Sequence, residues 1–525
     1  MSGDSSLLVE KLWRLKRRID KGACPGVEFV HLNTLLREPG YRADVLRRVE
    51  QNGTEELKAL AREIQANDNG APLMAQSNTS RLSASTDEPD KQSGWLRRNS
   101  LILIPSLAIA SIAVGFTAFE NRAVRIDADI THDTTWESGK RYILEDTVYV
   151  ENANLTIEPG VTVEGENGSA LVITQNARLF ARGKADKPVV FTSALSEGNR
   201  SRGDWGGVVM LGHAPVNEPE AAIEGLPPGE TRGRFGGSDT DDSCGVIEYT
   251  RIEFAGFEVY KDNELNGLTL GGCGKNTIIR NLQVHRSLDD GIEMFGGNVD
   301  LQNIVISGAG DDSIDWDWGW SGRVQFAVIQ QHPDAGDNAF EGDNNGSNHE
   351  ASPRSEPTFY NVTLVGAGNA QKRHRGMVIR EGSGGHFHNM LIDSYGIEAL
   401  DTRDEALSLV NRNLLTFSHN LMANLGHLGQ VTREDRDSND DFGFDEQNWM
   451  ESAANNNVFR VDTALFPNAK DLINPNFMPR IQLRQMNATR PQQSEFFDES
   501  ANFVGAVSPV SGSSWLDGWT SFPES

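Results

Sequence analysis

From Ile143 onward, short runs of β-branched and aliphatic residues alternate with turns of Gly, Asn and Asp, and no long helical period interrupts them. A small unit recurs: TRIEFAG at 250, RNLQVHR at 280, QNIVISGAG at 302, FAVIQQ at 326, YNVTLVGAG at 360, HNMLIDS at 388 and HNLMANLG at 419. Its first apolar residues, Ile252, Leu282, Ile304, Val328, Val362, Met390 and Leu421, lie 30, 22, 24, 34, 28 and 31 positions apart. A minimum near 22 with loop-sized additions predicts stacked coils with insertions at the corners, a parallel β-helix. Asn281, Asn303, Asn361, Asn389 and Asn420 share one place in the unit. Asn disfavours strands but suits corners, so five in phase predict an asparagine ladder inside the helix.

A second repeat lies half a coil away. DDGIEMF at 289 and DDSIDWD at 311 are offset by 22, which sets Asp290 over Asp312 and Ile292 over Ile314, about 4.8 Å apart at ordinary strand spacing. With the isoleucines inward, alternation turns Glu293, Asp315 and Asp317 outward. FEGDNNG at 340 extends this acidic column with Glu341 and Asp343. Carboxylates so stacked repel unless they share a cation or a proton, and they are hard oxygen ligands of the kind calcium takes. Interleaved with them, Trp316, Trp318 and Trp320, joined by Trp205, offer flat faces for sugar stacking. Trp316 shares the parity of Ile314, which leaves open a place for it inside the coil.

The N-terminal part follows other rules. Residues 1–65 read as helical: Leu8, Leu12, Leu15 and Ile19 recur at spacings of four and three, and Leu57, Leu60 and Ile64 repeat the pattern after a turn at Asn52-Gly53. The basic stretch from Lys11 to Lys21 reads as a solvated face, with acidic lipid or a cytoplasmic partner as the sharper alternative. Residues 66–99 are a polar linker. Ser100 to Phe119 contains no charge over twenty residues, long enough to span a bilayer. Arg97 and Arg98 before it and Glu120 after it predict a cytoplasmic N-terminus and residues 120–525 in the periplasm or at the cell surface. A signal peptide starting at Met74 is the rival, although no A-x-A site follows.

Charge sharpens this division. The first 99 residues hold 16 Lys/Arg against 14 Asp/Glu, leaving 32 against 61 of the chain's 48 and 75 for the remainder. Such a surface repels phosphate backbones, so nucleic acid is not expected as a partner. Of three cysteines, Cys244 and Cys273 lie 29 apart, about one local coil, and are expected to form a disulfide in an oxidising compartment. His374, His386 and His388 cluster in sequence; two on one strand face read as surface residues rather than zinc ligands. Serine and cysteine nucleophile arrangements and phosphate loops are absent from the sequence.

The stretches LTIEPGVTV at 155, GDWGGVVMLGHAPVN at 203, NELNGLTLGG at 263, DDGIEMFGG at 289, GAGDDSIDWDWGWSG at 308 and EGDNNG at 341, with the closing GAVSPVSGSSWLDGWTSF, carry a resemblance. Together they resemble exported right-handed parallel β-helix proteins of bacteria, often lipoproteins, over roughly residues 126–522. The lipid-accepting cysteine of such proteins is missing here, and the N-terminal segment is extra. Two functions compete. The first is a non-catalytic module that binds glycan or another envelope component, stiffened by calcium. The second is a polysaccharide hydrolase or lyase: Asp289, Asp290, Asp311 and Asp312, followed by RHRGMVIR up to Arg380, are similar in arrangement to the acid pairs and basic segment of polygalacturonases. Carboxylates one coil apart suit glycoside hydrolysis, and Arg380 is the only candidate base for a lyase. DD-G in a solenoid is, equally, a turn signature.

Overall fold

The computed structural model describes scattered positions up to residue 35, residues 39–68, and residues 123–525 except 227–229, 261–262, 369–371, 427–442, 462–463, 481–487 and 509–513. The chain divides into two compact units, one within Met1–Glu120 and the other from Asn121 onward. The segment expected to span a membrane, 100–119, lies outside the described residues, as does most of the expected linker. Among the described residues no helix is long and apolar enough to cross a membrane.

In the first unit, helices Pro39–Asn52 and Glu55–Asn67 meet at the turn expected from Asn52-Gly53, where the Gly53 amide donates to Val49 O (2.8 Å) and Thr54 caps the second helix. Leu12, Leu15, Ile19, Val45, Leu46, Val49, Leu57 and Ile64 form its core. Arg42 is buried there and donates to Asp68 and to Leu35 O, so the charge is paired.

The second unit is a right-handed parallel β-helix. All the strand pairs of its two large sheets, of seventeen and nine strands, run parallel. Strands of the nine-stranded sheet, such as Leu268–Gly271, Ile292–Phe295, Ile314–Asp317 and Asn338–Gly342, alternate along the chain with longer strands of the other, such as Ile278–His285, Asp300–Ser307, Arg323–Gln330 and Thr358–Val365. Each pair of strands is one coil. Register is continuous: Val148, Leu171, Val208, Leu268, Ile292, Ile314, Phe340 and Met377 stack as one inward row. The isoleucine register expected from the 22-residue offset is the one observed.

The asparagine positions need correction. Asn281, Asn303, Asn361 and Asn389 do share one place, and each is left-handed, with φ between +51° and +58°. This residue bends the long strand, and Asn tolerates that conformation better than most non-glycine residues. Phe326 and His419 take the position in their coils, with φ of +62° and +60°. Asn420 stands one residue later, and its Oδ1 accepts from the Met390 amide. Backbone geometry, rather than a uniform internal amide ladder, explains the repeat. Phasing slips similarly at Val328, since Ala327 is the residue that pairs with Ile304 and Val362.

The C-terminal segment crosses the coils as a strap. Gln283 exchanges hydrogen bonds with the backbone of Ser521, Gln325 with Asp498 and Asn389 with Thr489, while Gln330 donates to Ala469 O and Asn361 to Ala501 O and Phe503 O. Beneath the strap a second apolar layer joins Val305, Val328, Val365, Leu391 and Leu421 to Leu465, Phe477, Val504 and Trp519.

Candidate functional site

The outward face of the nine-stranded sheet changes character along the helix axis. Tyr149, Val172, Val209, Leu211 and Phe295 begin it, covered by Ala221, Ile223, Leu226 and Phe235 of the insertion between strands Val208–Leu211 and Gly245–Glu253. The disulfide Cys244–Cys273 pins the end of that insertion, with Cα atoms 5.7 Å apart, as expected from the spacing. Beyond Thr269 the same outward row becomes Glu293, Asp315 and Glu341, in direct register. The acidic column is therefore real, and Glu341 extends it. It is recessed rather than freely solvated: Glu293 and Asp343 are buried, and Asp315, Asp317 and Glu341 are partly so.

Burial and mutual repulsion push these carboxyls upward. Desolvation leads for Asp290, Glu293, Asp312 and Asp315, all raised well above the ordinary carboxylate range, with neighbouring acids adding to the effect. Asp317 is pushed up to about 8, again chiefly by burial. One resident cation compensates part of the cluster. Arg380 donates to Asp343 (2.8 and 2.9 Å) and pairs with Glu341. The five expected metal ligands therefore divide. Glu341 and Asp343 belong to Arg380, Asp317 stands outside the cluster and accepts from the Trp318 amide, and Glu293 and Asp315 converge with Asp290, their carboxylate oxygens all within 4.8 Å of one another. Within that trio the Asp315 Oδ1 atom is buried and has no hydrogen-bond partner. Three hard oxygen donors with one orphaned atom fit a divalent cation such as calcium. Asp289, Asp290 and Asp311 form a second convergent group, at the more exposed corner.

The corner aspartates have a visible structural task. The Asp290 amide donates to Asn266 Oδ1, the Asp312 amide to Asp290 Oδ1 (2.8 Å), and the Asn338 amide to Asp312 Oδ1 (2.6 Å). Each coil thus caps the turn of the next, and the turn reading of DD-G is the one supported for Asp290 and Asp312.

Tryptophan as a sugar platform needs correction at three of four positions. Trp205, Trp316 and Trp320 have no exposed surface. Each is core: the Trp205 indole donates to Glu253 O, Trp316 to Ser383 Oγ and Trp320 to Val299 O. Trp316 follows Ile314 inward by parity and meets Phe359 and Phe387 at 5.5 and 6.3 Å between ring centroids. Trp318 is half-buried against Phe295 (4.9 Å) and Phe235 (6.0 Å), at the junction of the apolar and acidic halves of the face. It retains an edge toward solvent. His374 is buried and faces Ala335 O, apart from the outward pair His386 and His388.

Stacked parallel coils, a left-handed bend repeated once per coil and an outward face lined with acids are the setting for the comparison with known proteins. The profile of the pectate-lyase-like β-helix domain matches residues 128–464. The chain belongs to that family. No curated protein and no solved structure matches it. The matched span of this pectate-lyase-like domain includes the whole acidic face and ends where the C-terminal strap begins.

Proposed function

We propose that this pectate-lyase-like β-helix is a non-catalytic carbohydrate-binding module whose recessed acidic face holds a divalent cation, calcium by donor type. The observation that carries the reading is the convergence of Asp290, Glu293 and Asp315 around an unpartnered Asp315 oxygen. A cation there would offset the repulsion within the column and attract acidic groups of a glycan that the bare face repels. Family membership supports a carbohydrate ligand. Two features argue against turnover. Arg380, the basic residue named for a lyase, is ion-paired with Asp343 and Glu341, which raise its pKa against the opposing effect of burial. Asp290 and Asp312 are engaged by backbone amides in the turn ladder.

A hydrolase is the second reading, favoured by one observation: Asp317, held protonated to about pH 8, lies near Asp343, the pairing of a general acid with an ionised neighbour. Glycan retention by residues 120–525, measured with calcium and with chelator and followed by sizing of the glycan, separates the two. Calcium-dependent retention at constant glycan length is expected. Shortened glycan, lost in Asp317→Asn, would establish the hydrolase. Retention indifferent to chelator would overturn the cation.

The topology proposed is a single span at 100–119, N-terminus inside, with the β-helix in the periplasm or at the cell surface. The Cys244–Cys273 bond supports an oxidising compartment. A reporter fused after Ser525 that is active only in the cytoplasm would refute it.

A further inference from the structure

A separate cavity of about 460 Å³ opens on the outer face of the seventeen-stranded sheet, within the size range of small-ligand sites. Its floor is built by register. Thr358, His386 and Thr416 stack as one outward row, Tyr360, His388 and Ser418 as the next, with Phe359, Phe387 and Phe417 pointing inward between them. Asn413, Asn455 and Gln492 form the rim. The floor residues cannot spread apart, because strand pairing on three successive coils fixes their spacing at about 4.8 Å.

The hydrogen-bonding capacity of this floor can be worked out. His386 Nε2 faces the Glu356 carboxylate at 3.0 Å, so it carries the proton. In the neutral imidazole Nδ1 is then an acceptor, and the Thr416 hydroxyl 2.9 Å away donates to it. This leaves the Thr416 lone pairs for the cavity. His388 contacts the Ser418 hydroxyl in the same way (2.9 Å), and burial beside His386 and His419 holds it neutral down to about pH 4. Tyr360 supplies an aromatic wall, buttressed by Phe497 (4.9 Å) and His388 (4.8 Å). Among the described residues no lysine or arginine lines the cavity, and the Glu356 carboxylate beside the floor is committed to His386.

We propose that this cavity is a binding site for a neutral sugar, recognised by hydroxyl, imidazole and amide groups against an aromatic wall. The chemistry selects against anions, since none of the described lining residues is a lysine or arginine that would compensate a uronate or phosphate, and amides and hydroxyls both donate to and accept from sugar hydroxyls. The site is independent of the acidic face and needs no divalent ion.

Calorimetric titration of the full chain with glucose, galactose, mannose and N-acetylglucosamine tests this, with galacturonate as the charged counterpart and chelator present throughout. Saturable millimolar binding of at least one neutral sugar is expected, with galacturonate at least about tenfold weaker. The rim variants Asn455→Ala and Gln492→Ala should weaken the neutral sugar by about tenfold together, with the thermal midpoint recorded for Asn455→Ala because that amide also donates to Trp449 O. Absence of saturable binding, preference for galacturonate, or affinity unchanged in the rim variants would overturn the proposal. Chelator separates this result from the calcium reading, which predicts binding only without it.

Discussion

Trp316 and Gly342 occupy the same place in adjacent coils, and the indole lies across the glycine. A Cβ built on Gly342 would sit 2.2 Å from Cζ2 and 2.4 Å from Cε2 of Trp316, against about 3.5–4 Å for relaxed carbon contacts. Gly342 does not adopt a left-handed backbone, so space alone requires the glycine. Gly342→Ala should therefore destabilise by about 1–3 kcal/mol through overpacking. Trp316→Ala should cost about 3–5 kcal/mol, the range for emptying a large buried aromatic site. Ser383 keeps a bond to Gly384 O when the indole is gone, so little is added for a lost partner. In the double mutant the new methyl enters the vacated space and the clash disappears. The two changes should then cost about 1–3 kcal/mol less than their sum. Urea unfolding of residues 120–525 followed by far-UV circular dichroism measures the cycle. Strict additivity, or a harmless Gly342→Ala, would falsify the packing argument.

Other outcomes follow from the acids and the cross-link. In chelator, the raised carboxyls contribute stability that is complete below about pH 4 and is lost as pH rises through the Asp317 value of about 8. His285 and His388, lowered to about 3 and about 4, contribute stability above about pH 6.5 and lose it as pH falls. Between pH 6.5 and 8 the lowered histidines no longer add a slope, and His349, raised against burial by its bond to Glu405, acts in the same direction as the carboxyls, so thermal midpoints in chelator should fall with rising pH; a flat or rising profile contradicts the buried column. Calcium at about 100 times its dissociation constant should restore about 2.7 kcal/mol, and Asp315→Asn should abolish that response; an undiminished response places the ion elsewhere. Cys244→Ala with Cys273→Ala should cost about 2–4 kcal/mol, read from urea midpoints; an unchanged midpoint means the insertion is held without the bond. Asn361→Gly should retain the left-handed bend yet lose the strap bonds to Ala501 and Phe503, so proteolysis of residues 488–508 should accelerate while the coil core is preserved; equal cleavage rates would show that the strap does not depend on that amide.

Coil architecture was legible because inward positions repeat at near-constant intervals, and the Ile292–Ile314 offset of 22 gave the true register. The acidic column was legible for the same reason, since parity fixes a face. What alternation cannot reveal is what covers that face. The insertion carrying Ile223 and Phe235 covers the apolar half of that face, and the acidic column next to it is recessed. Trp205 and Trp320 lie outside the strand alternation, in loops where parity has no force, and both turned inward. A usable signal was present for Trp316: Gly342 in the matching place of the next coil marks a large side chain above it. Gly165 also lies under a tryptophan, a Cβ there falling 2.6 Å from the Trp205 Cβ, but its register partners are Leu144 and Ser193, so strand phase does not point to it. The cavity around His386 and His388 was half visible. HFH placed two imidazoles on one face, but the hydroxyls at Thr416 and Ser418 are 30 residues away, and Asn455 and Gln492 farther still.

The strap changes how this solenoid comes apart. Coils that touch only their neighbours would fray singly from either end, each opening independent of the rest. Here Gln283, Gln325, Gln330, Asn361 and Asn389, spread over successive coils, are fastened to one continuous stretch of backbone. Opening any of these coils therefore exposes buried amides on both sides of the seam, and the coils fail as a block. The order of synthesis matters too. The fastening residues are synthesised after every coil they bind, so a nascent β-helix stands with its outer valines bare until they emerge, and its locking follows the formation of the coils.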